Sequence, residues 1–253
     1  MPSVTLSNGL SIFYREAGSG DRVFLFVHGN CATSLWWERV MGALPAGIRS
    51  IALDLRGCGD TDKPAQQWTW QDLADDVYQF AQALDLSKVT LVGHSLGGTI
   101  AMQVAADHPD LVAKLVMVNP GPAEGLVMPE VWWERSRPLV NMPDVMKMAL
   151  GAMMPTAPKD DFYTRLLEES VAKSVGAWLP HTKALENTGN LPRQVREVGV
   201  PTLIIYGTQD MLITAPMMET LRDQIPGAVL DVWPEVGHSA NTEAPERFAQ
   251  RIL

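Results

Sequence analysis

Basic residues are in the minority: 20 Lys and Arg stand against 29 Asp and Glu, a formal net charge of −9. That balance argues against nucleic acid or an anionic membrane surface as a partner. No stretch approaches the ~20 consecutive apolar residues of a membrane span. The opening Met-Pro-Ser-Val-Thr-Leu-Ser-Asn-Gly lacks the basic start and apolar centre of a secretory signal. Only Cys31 and Cys58 are available for sulfur chemistry, and neither has a metal-ligand spacing. Reduced thiols in a cytoplasmic protein are therefore the expectation. H-E-x-x-H, a spaced His/Asp cluster and G-x-G-x-x-G with a downstream acid are all missing, so neither a metal nor a dinucleotide cofactor is expected. No internal repeat or low-complexity segment stands out.

What is present is a chain of 253 residues, 46% of them hydrophobic. It can bury one large core, or one core plus a small appended domain. Short runs flank Ser7-Asn8-Gly9, a hairpin signal. Val23–Val27 is uniformly apolar, as a strand covered on both faces would be, and the short runs Ser50–Leu53, Val89–Val92, Leu115–Val118, Pro201–Tyr206 and Val229–Trp233 also read as strands. Between them lie helical patterns over 34–44, 70–84, 99–106 and 215–224, with a last helix from Pro245 that ends abruptly at Leu253, as a shortened C-terminus would. Strand and helix in alternation predict an α/β protein with a mostly parallel sheet and helices on both faces.

The alternation breaks after Asn119-Pro-Gly-Pro122. From 123 to 191 no buried strand is evident, and helix-like pieces are interrupted by Pro129, Pro138, Pro143, Pro155, Pro158 and Pro180. The expected division is a core of 1–122 with 192–253 and a helical lid of 123–191. Flexible methionines and flat aromatics in that lid suit the cover of an apolar site, with Trp132, Trp133 and Met154 as candidate pocket residues. The plainer alternative is that they only pack the insertion onto the main domain.

Chemistry centres on Gly93-His94-Ser95-Leu96-Gly97, a G-x-S-x-G between a buried strand and a helix. In that frame the motif is a nucleophile elbow: the turn is strained so that the serine hydroxyl projects clear of the sheet. A serine needs a base to take its proton. Of five histidines, His238 alone follows a late strand, in a Gly-His-Ser loop able to reach the carboxyl edge of the sheet, where such sites gather. Asp210 follows the preceding strand and is the candidate for orienting His238; Glu124 is the alternative. Asp54 also ends a strand but precedes the serine and sits near Arg56, so a structural role suits it better. Backbone N–H groups of Leu96 and Asn30 are the candidate oxyanion donors. The Asn30 side chain could touch substrate or merely stabilise its turn, and Cys31 reads as structural.

With His28-Gly29, Asp54-Leu-Arg-Gly-Cys-Gly59, Gly93–Gly97, Gly207-Thr-Gln-Asp210 and Gly237-His238 in view, the chain resembles the α/β-hydrolase superfamily over essentially its whole length. The resemblance implies eight strands, the second antiparallel, and a cap inserted after the sixth. Haloalkane dehalogenases and epoxide hydrolases carry aspartate where Ser95 stands. Ring-fission C–C hydrolases usually have a glycine-rich loop, from which Asn30-Cys-Ala-Thr-Ser34 departs. His28-Gly-Asn30 resembles the loop in dehalogenases and also that in some lactone-cleaving hydrolases, and haloperoxidase-like esterases share the serine. The best fit is a serine esterase or lactonase acting on a small apolar ester or lactone through an acyl-enzyme. The alternatives are C–C or other acyl hydrolysis on the same triad, or a small-ligand receptor that retains the fold.

Overall fold

The computed structural model describes residues 2–65 and 68–253; Met1, the start of the N-terminal stretch read above, lies outside them. Eight strands form one sheet: β1 (Ser3–Thr5), β2 (Ser11–Ala17), β3 (Arg22–Val27), β4 (Ile48–Leu53), β5 (Val89–His94), β6 (Val112–Val118), β7 (Thr202–Gly207) and β8 (Val229–Trp233). Their spatial order is β1-β2-β4-β3-β5-β6-β7-β8. β2 runs antiparallel to both neighbours, and every other pair is parallel. The helices are α1 (Glu38–Ala43), α2 (Trp70–Ala83), α3 (Leu96–Asp107), α4 (Glu130–Ser136), α5 (Pro143–Ala152), α6 (Asp161–Leu185), α7 (Leu191–Gln194), α8 (Ala215–Gln224), α9 (Ala240–Glu243) and α10 (Pro245–Ile252).

The central strands are largely apolar because both of their faces are covered. Alternate residues point to opposite sides. Leu25, Val27, Leu91, Leu115, Met117 and Ile204 enter one cluster with Leu73, Val77 and Phe80 of α2 and Ile100 of α3. Phe24, Phe26, Val92, Val116, Val118 and Ile205 enter the other with Val40 of α1 and Phe248 and Ile252 of α10. The parallel register brings Val27 beside Gly93, His94 beside Val118, Val118 beside Ile205 and Gly207 beside Trp233. The loops after β3, β5, β6, β7 and β8 therefore open on one edge of the sheet. That edge carries the candidate site.

Two expectations about helices need correction. The segment 34–44 is not one helix: Ser34–Trp37 forms a 3-10 turn before α1. Thr33 caps that turn by accepting the Leu35 N–H, while the Ser34 N–H donates to Asp54 Oδ1 at 2.6 Å, so side chains take bonds an α-helix would make. Pro180 does not interrupt the insertion either; it lies inside the 25-residue α6. A proline removes one helical hydrogen bond and crowds the preceding turn. Anchors on both sides of it hold α6 together. Before it, Ser170 accepts from Trp36 Nε1 (2.8 Å), Ser174 donates to the Ala32 carbonyl (2.8 Å) and the Trp178 carbonyl accepts from Asn30 Nδ2 (3.0 Å); after it, Thr182 Oγ1 accepts from the same Asn30 Nδ2 (2.9 Å). Together with Thr182, these positions recur every fourth residue and form one face of the helix. Among the described residues no strand lies between β6 and β7, and α4 to α7 fill that interval.

Candidate active site

Ser95 stands at the crossing from β5 to α3 with φ 53° and ψ −120°, a conformation that costs a non-glycine residue of order 1–3 kcal/mol. The surroundings enforce it. Its N–H donates to the Val118 carbonyl on β6 (2.9 Å), and its own carbonyl accepts the N–H groups of Gly98 (2.9 Å) and Thr99 (3.2 Å). The crossing is too close for a side chain at its flanks: a Cβ on Gly93 would lie 2.2 Å from the Gly97 carbonyl oxygen, and one on Gly97 would lie 2.4 Å from that of His28. Leu96 is the first residue of α3, so its N–H has no carbonyl a turn earlier to bond.

His238 and Asp210 come together from loops 28 residues apart, with His238 Nδ1 2.5 Å from Asp210 Oδ2. The carboxylate is held on both oxygens. Oδ1 accepts the N–H groups of Leu212 (2.7 Å) and Ile213 (3.1 Å), and Oδ2 also accepts Asn119 Nδ2 at 2.5 Å. Burial alone would raise the Asp210 carboxyl, but the His238 ring and the two backbone donors outweigh it and hold it below the usual carboxylate range. Because Nδ1 is committed to Asp210, Nε2 is the ring nitrogen of His238 left free for a substrate-side proton. Glu124 is exposed and bonded to the Gln224 side chain. Asp54 binds the Ser34 and Asp60 amides (2.6 and 3.0 Å) and fixes loops. Arg56 pairs with Asp76 instead (2.6 Å).

Burial favours the neutral ring in His28, His94 and His181. His28 Nε2 accepts the Leu55 N–H (2.9 Å), so Nδ1 carries the proton and donates to the Gly29 carbonyl (2.7 Å). That pair of bonds shapes the loop carrying Asn30. His94 Nε2 donates to the His238 carbonyl (3.0 Å). Burial, reinforced by the nearby His238, pushes the His94 ring down to about 3. His181 is likewise lowered to about 3, chiefly by burial.

Ser95, Leu96, His238 and Asn30 border one cavity of about 260 Å³. Its wall includes Trp36, Trp132, Trp178, Met128, Met146 and Met153, and no Asp, Glu, Lys or Arg among the described residues. Two of the three pocket residues expected from the sequence lie elsewhere. Trp133 packs edge-on against Trp132, donates Nε1 to Glu186 (3.1 Å) and faces a separate groove with Trp68 and Lys183. Met154 is fully buried beside Trp36 and Leu166, and its sulfur accepts from Thr242 (3.4 Å). Met153, at the C-cap of α5, reaches the cavity instead. The Asn30 side chain neither faces open space nor only its own turn: Nδ2 donates to Trp178 O and Thr182 Oγ1 (3.0 and 2.9 Å), tying the loop after β3 to α6. Cys31 sits in the cavity wall with φ 53°, its thiol pushed up to about 12 by burial. It is no nucleophile at neutral pH.

Sequence reasoning did not find Asn119 or Glu243. Asn119 was visible only as the residue ending a buried strand before Pro120, and its left-handed φ of 41° is a conformation asparagine tolerates. Glu243 follows His238 by five residues. Asn119 meets its side-chain partners only across the sheet edge, and Glu243 makes its side-chain bond to the distant Thr156.

The sheet order, the elbow and the helices between β6 and β7 define the α/β-hydrolase architecture. The model of the alpha/beta hydrolase family matches residues 24–251, and the chain belongs to that family. It is 30% identical to a 2-hydroxy-6-oxo-6-(2'-aminophenyl)hexa-2,4-dienoic acid hydrolase of Metapseudomonas resinovorans, over 98% of this chain and 88% of that one. An esterase from Exiguobacterium antarcticum superposes with a TM-score of 0.87 at 24% identity, covering 99% and 97% of the two chains. An enol-lactonase from Burkholderia xenovorans LB400 gives 0.86 at 22%, covering 99% and 98%. At those identities the two structures speak to the fold alone. No helix among the described residues is long and apolar enough to cross a membrane.

Proposed function

We propose that the chain is a serine hydrolase of uncharged carboxylic esters or lactones, working through an acyl-enzyme. The observation that carries this reading is the His238–Asp210 pair at 2.5 Å, whose His238 borders the same cavity as the strained Ser95. Ser95 Oγ attacks the carbonyl carbon while His238 Nε2 takes its proton, and Asp210 Oδ2 holds the ring and stabilises the imidazolium. The N–H groups of Leu96 and Asn30 receive the oxyanion; one such donor is worth about 2.7–4 kcal/mol of barrier. His238 then protonates the leaving alkoxide, breaking the C–O bond, and later takes a proton from the water that releases the acid. In this reading 123–191 is a lid over a core of 1–122 and 192–253. The unpaired, buried Cys31 and Cys58 suit a reducing cytoplasm.

The relative from Metapseudomonas resinovorans favours a second reading, hydrolysis of a dienoic acid of the kind it is named for. The cavity speaks against it. An unpaired carboxylate buried there costs several kcal/mol. No Lys or Arg among the described residues borders the cavity to offset that cost, and the Asn30 amide is already bonded to α6.

The test is a panel of short-chain p-nitrophenyl esters, lactones, acyl-homoserine lactones and a dienoic acid, run beside Ser95→Ala. Turnover of neutral esters or lactones that disappears in Ser95→Ala supports the reading. Preferred hydrolysis of the acid, or turnover indifferent to Ser95→Ala, overturns it. A single turnover without release would favour the receptor.

A further inference from the structure

The loop that carries the candidate base is held by a second acid that takes no part in the chemistry above. Glu243, at the end of α9, is buried and makes no ion pair among the described residues. Its carboxylate instead collects backbone and hydroxyl donors. Oε1 accepts the Ser239 N–H (3.0 Å); Oε2 accepts the Gly237 N–H (3.0 Å), the Thr156 N–H (3.2 Å) and the Thr156 hydroxyl (2.6 Å). Both neighbours of His238 therefore donate to this one group. A buried carboxylate is tolerated when such donors replace its water, and bonds to a charged acceptor are the stronger kind.

The N–H between those two, that of His238 itself, donates to the Met153 carbonyl at 2.9 Å. The His238 carbonyl is taken by His94 Nε2 from the nucleophile elbow (3.0 Å). Three successive amides are thus fixed, one by the α5–α6 connection and two by a carboxylate that also grips that connection at Thr156. Loop and connection touch directly, since a Cβ on Gly237 would lie 2.5 Å from Pro155 Cδ. Met153 faces both ways: its side chain borders the cavity while its carbonyl holds the His238 backbone.

We propose that Glu243 is a positioning residue for His238, and that through Thr156 it makes the α5–α6 connection a fixed part of the reacting geometry. The proposal rests on His238 being the base. The insertion's hydrogen bonds to the loop and helix around His238 come from residues 153–156.

The test uses Glu243→Gln and Thr156→Val in the full chain, with p-nitrophenyl butyrate kinetics and the downfield proton NMR signal of the His238 Nδ1–H. An amide has one acceptor oxygen and must turn an N–H toward at least one existing donor, so Glu243→Gln breaks the clamp while keeping the side-chain shape. Expected are a fall in kcat of about 10- to 100-fold with KM little changed, and loss or broadening of the Nδ1–H signal. Thr156→Val removes one hydroxyl arm and should lower kcat about threefold to tenfold. Wild-type kcat and an unaltered signal in folded Glu243→Gln overturn the proposal; if that variant does not fold, wild-type kcat in Thr156→Val overturns it. Failure of the functional reading is separate: it shows as full activity in His238→Ala, and the NMR signal still decides whether Glu243 positions the ring.

Discussion

Asn119 Nδ2 lies 2.5 Å from the same Asp210 oxygen that receives the His238 ring. The asparagine is itself locked: its Oδ1 accepts the Gly207 N–H (3.0 Å), and its own N–H donates to Ile205 (2.9 Å). It thus bridges the ends of β6 and β7 and aims Asp210 across the sheet edge.

Deleting that side chain should cost the reaction more than the fold. Asn119→Gly keeps the left-handed backbone unstrained and removes only the amide. A hydrogen bond to a charged acceptor is worth about 1.5–3 kcal/mol, so kcat should fall roughly 10- to 100-fold. The charged form of Asp210 loses a donor, and the acid limb of the pH–rate profile should move to higher pH. An unchanged profile and rate would show that Asn119 only joins the strands.

The two adjacent tryptophans of α4 should separate cleanly. Trp132 borders the cavity, whereas Trp133 packs behind it and anchors Glu186. Trp132→Ala should raise KM for aromatic esters about tenfold or more, as a buried aromatic contact is worth 1–3 kcal/mol or so. Trp133→Ala should instead lower the melting temperature with KM little altered. Steady-state kinetics and thermal unfolding on both variants check this, and the reverse pattern would contradict the cavity assignment.

The sequence displays those features whose cause is local. The strands are largely apolar runs because two cores press on them, and Ser95 lies inside a five-residue signature. His238 and Asp210 follow the last two strands, and parallel register alone brings their loops to the edge occupied by Ser95. What was not legible depends on contacts between distant residues. Asn119 meets Asp210 across 91 positions, and Glu243 meets Thr156 across 87. Met153 and Met154 follow the end of α5, and which of the two faces the cavity depends on the path of the chain there, which composition does not carry. Pro180 read as a break because the anchors on either side of it, Trp36 and Asn30, belong to another part of the chain.

Acid should destabilise the protein well before its carboxylates titrate. His94 and His181 have ordinary values of 6.5 when unfolded and about 3 when buried. His28 is also lowered, by burial against the opposing pull of Asp54 and the Gly29 carbonyl. Between those values the unfolded chain binds protons that the folded chain refuses, so stability falls as pH falls. Each such ring contributes about 1.4 kcal/mol per pH unit across the window. The lowered Asp210 adds its loss only below the ordinary carboxylate range. Denaturant unfolding from pH 7 to pH 4 should show the decline starting near pH 6.5, and His181→Leu should flatten it by roughly one such increment. A flat profile down to pH 4 would contradict neutral burial of these rings.

The central claim is that Ser95 is the nucleophile, and covalent capture reads it without knowledge of the substrate. A fluorophosphonate incubated with the full chain should add one phosphonyl group, and peptide mass spectrometry should locate it on Ser95. Ser95→Ala, folded by circular dichroism, should take up none, and His238→Ala should react at least 100-fold more slowly, in keeping with the contribution of a general base. Labelling at another residue, or equal labelling of Ser95→Ala, would contradict the account.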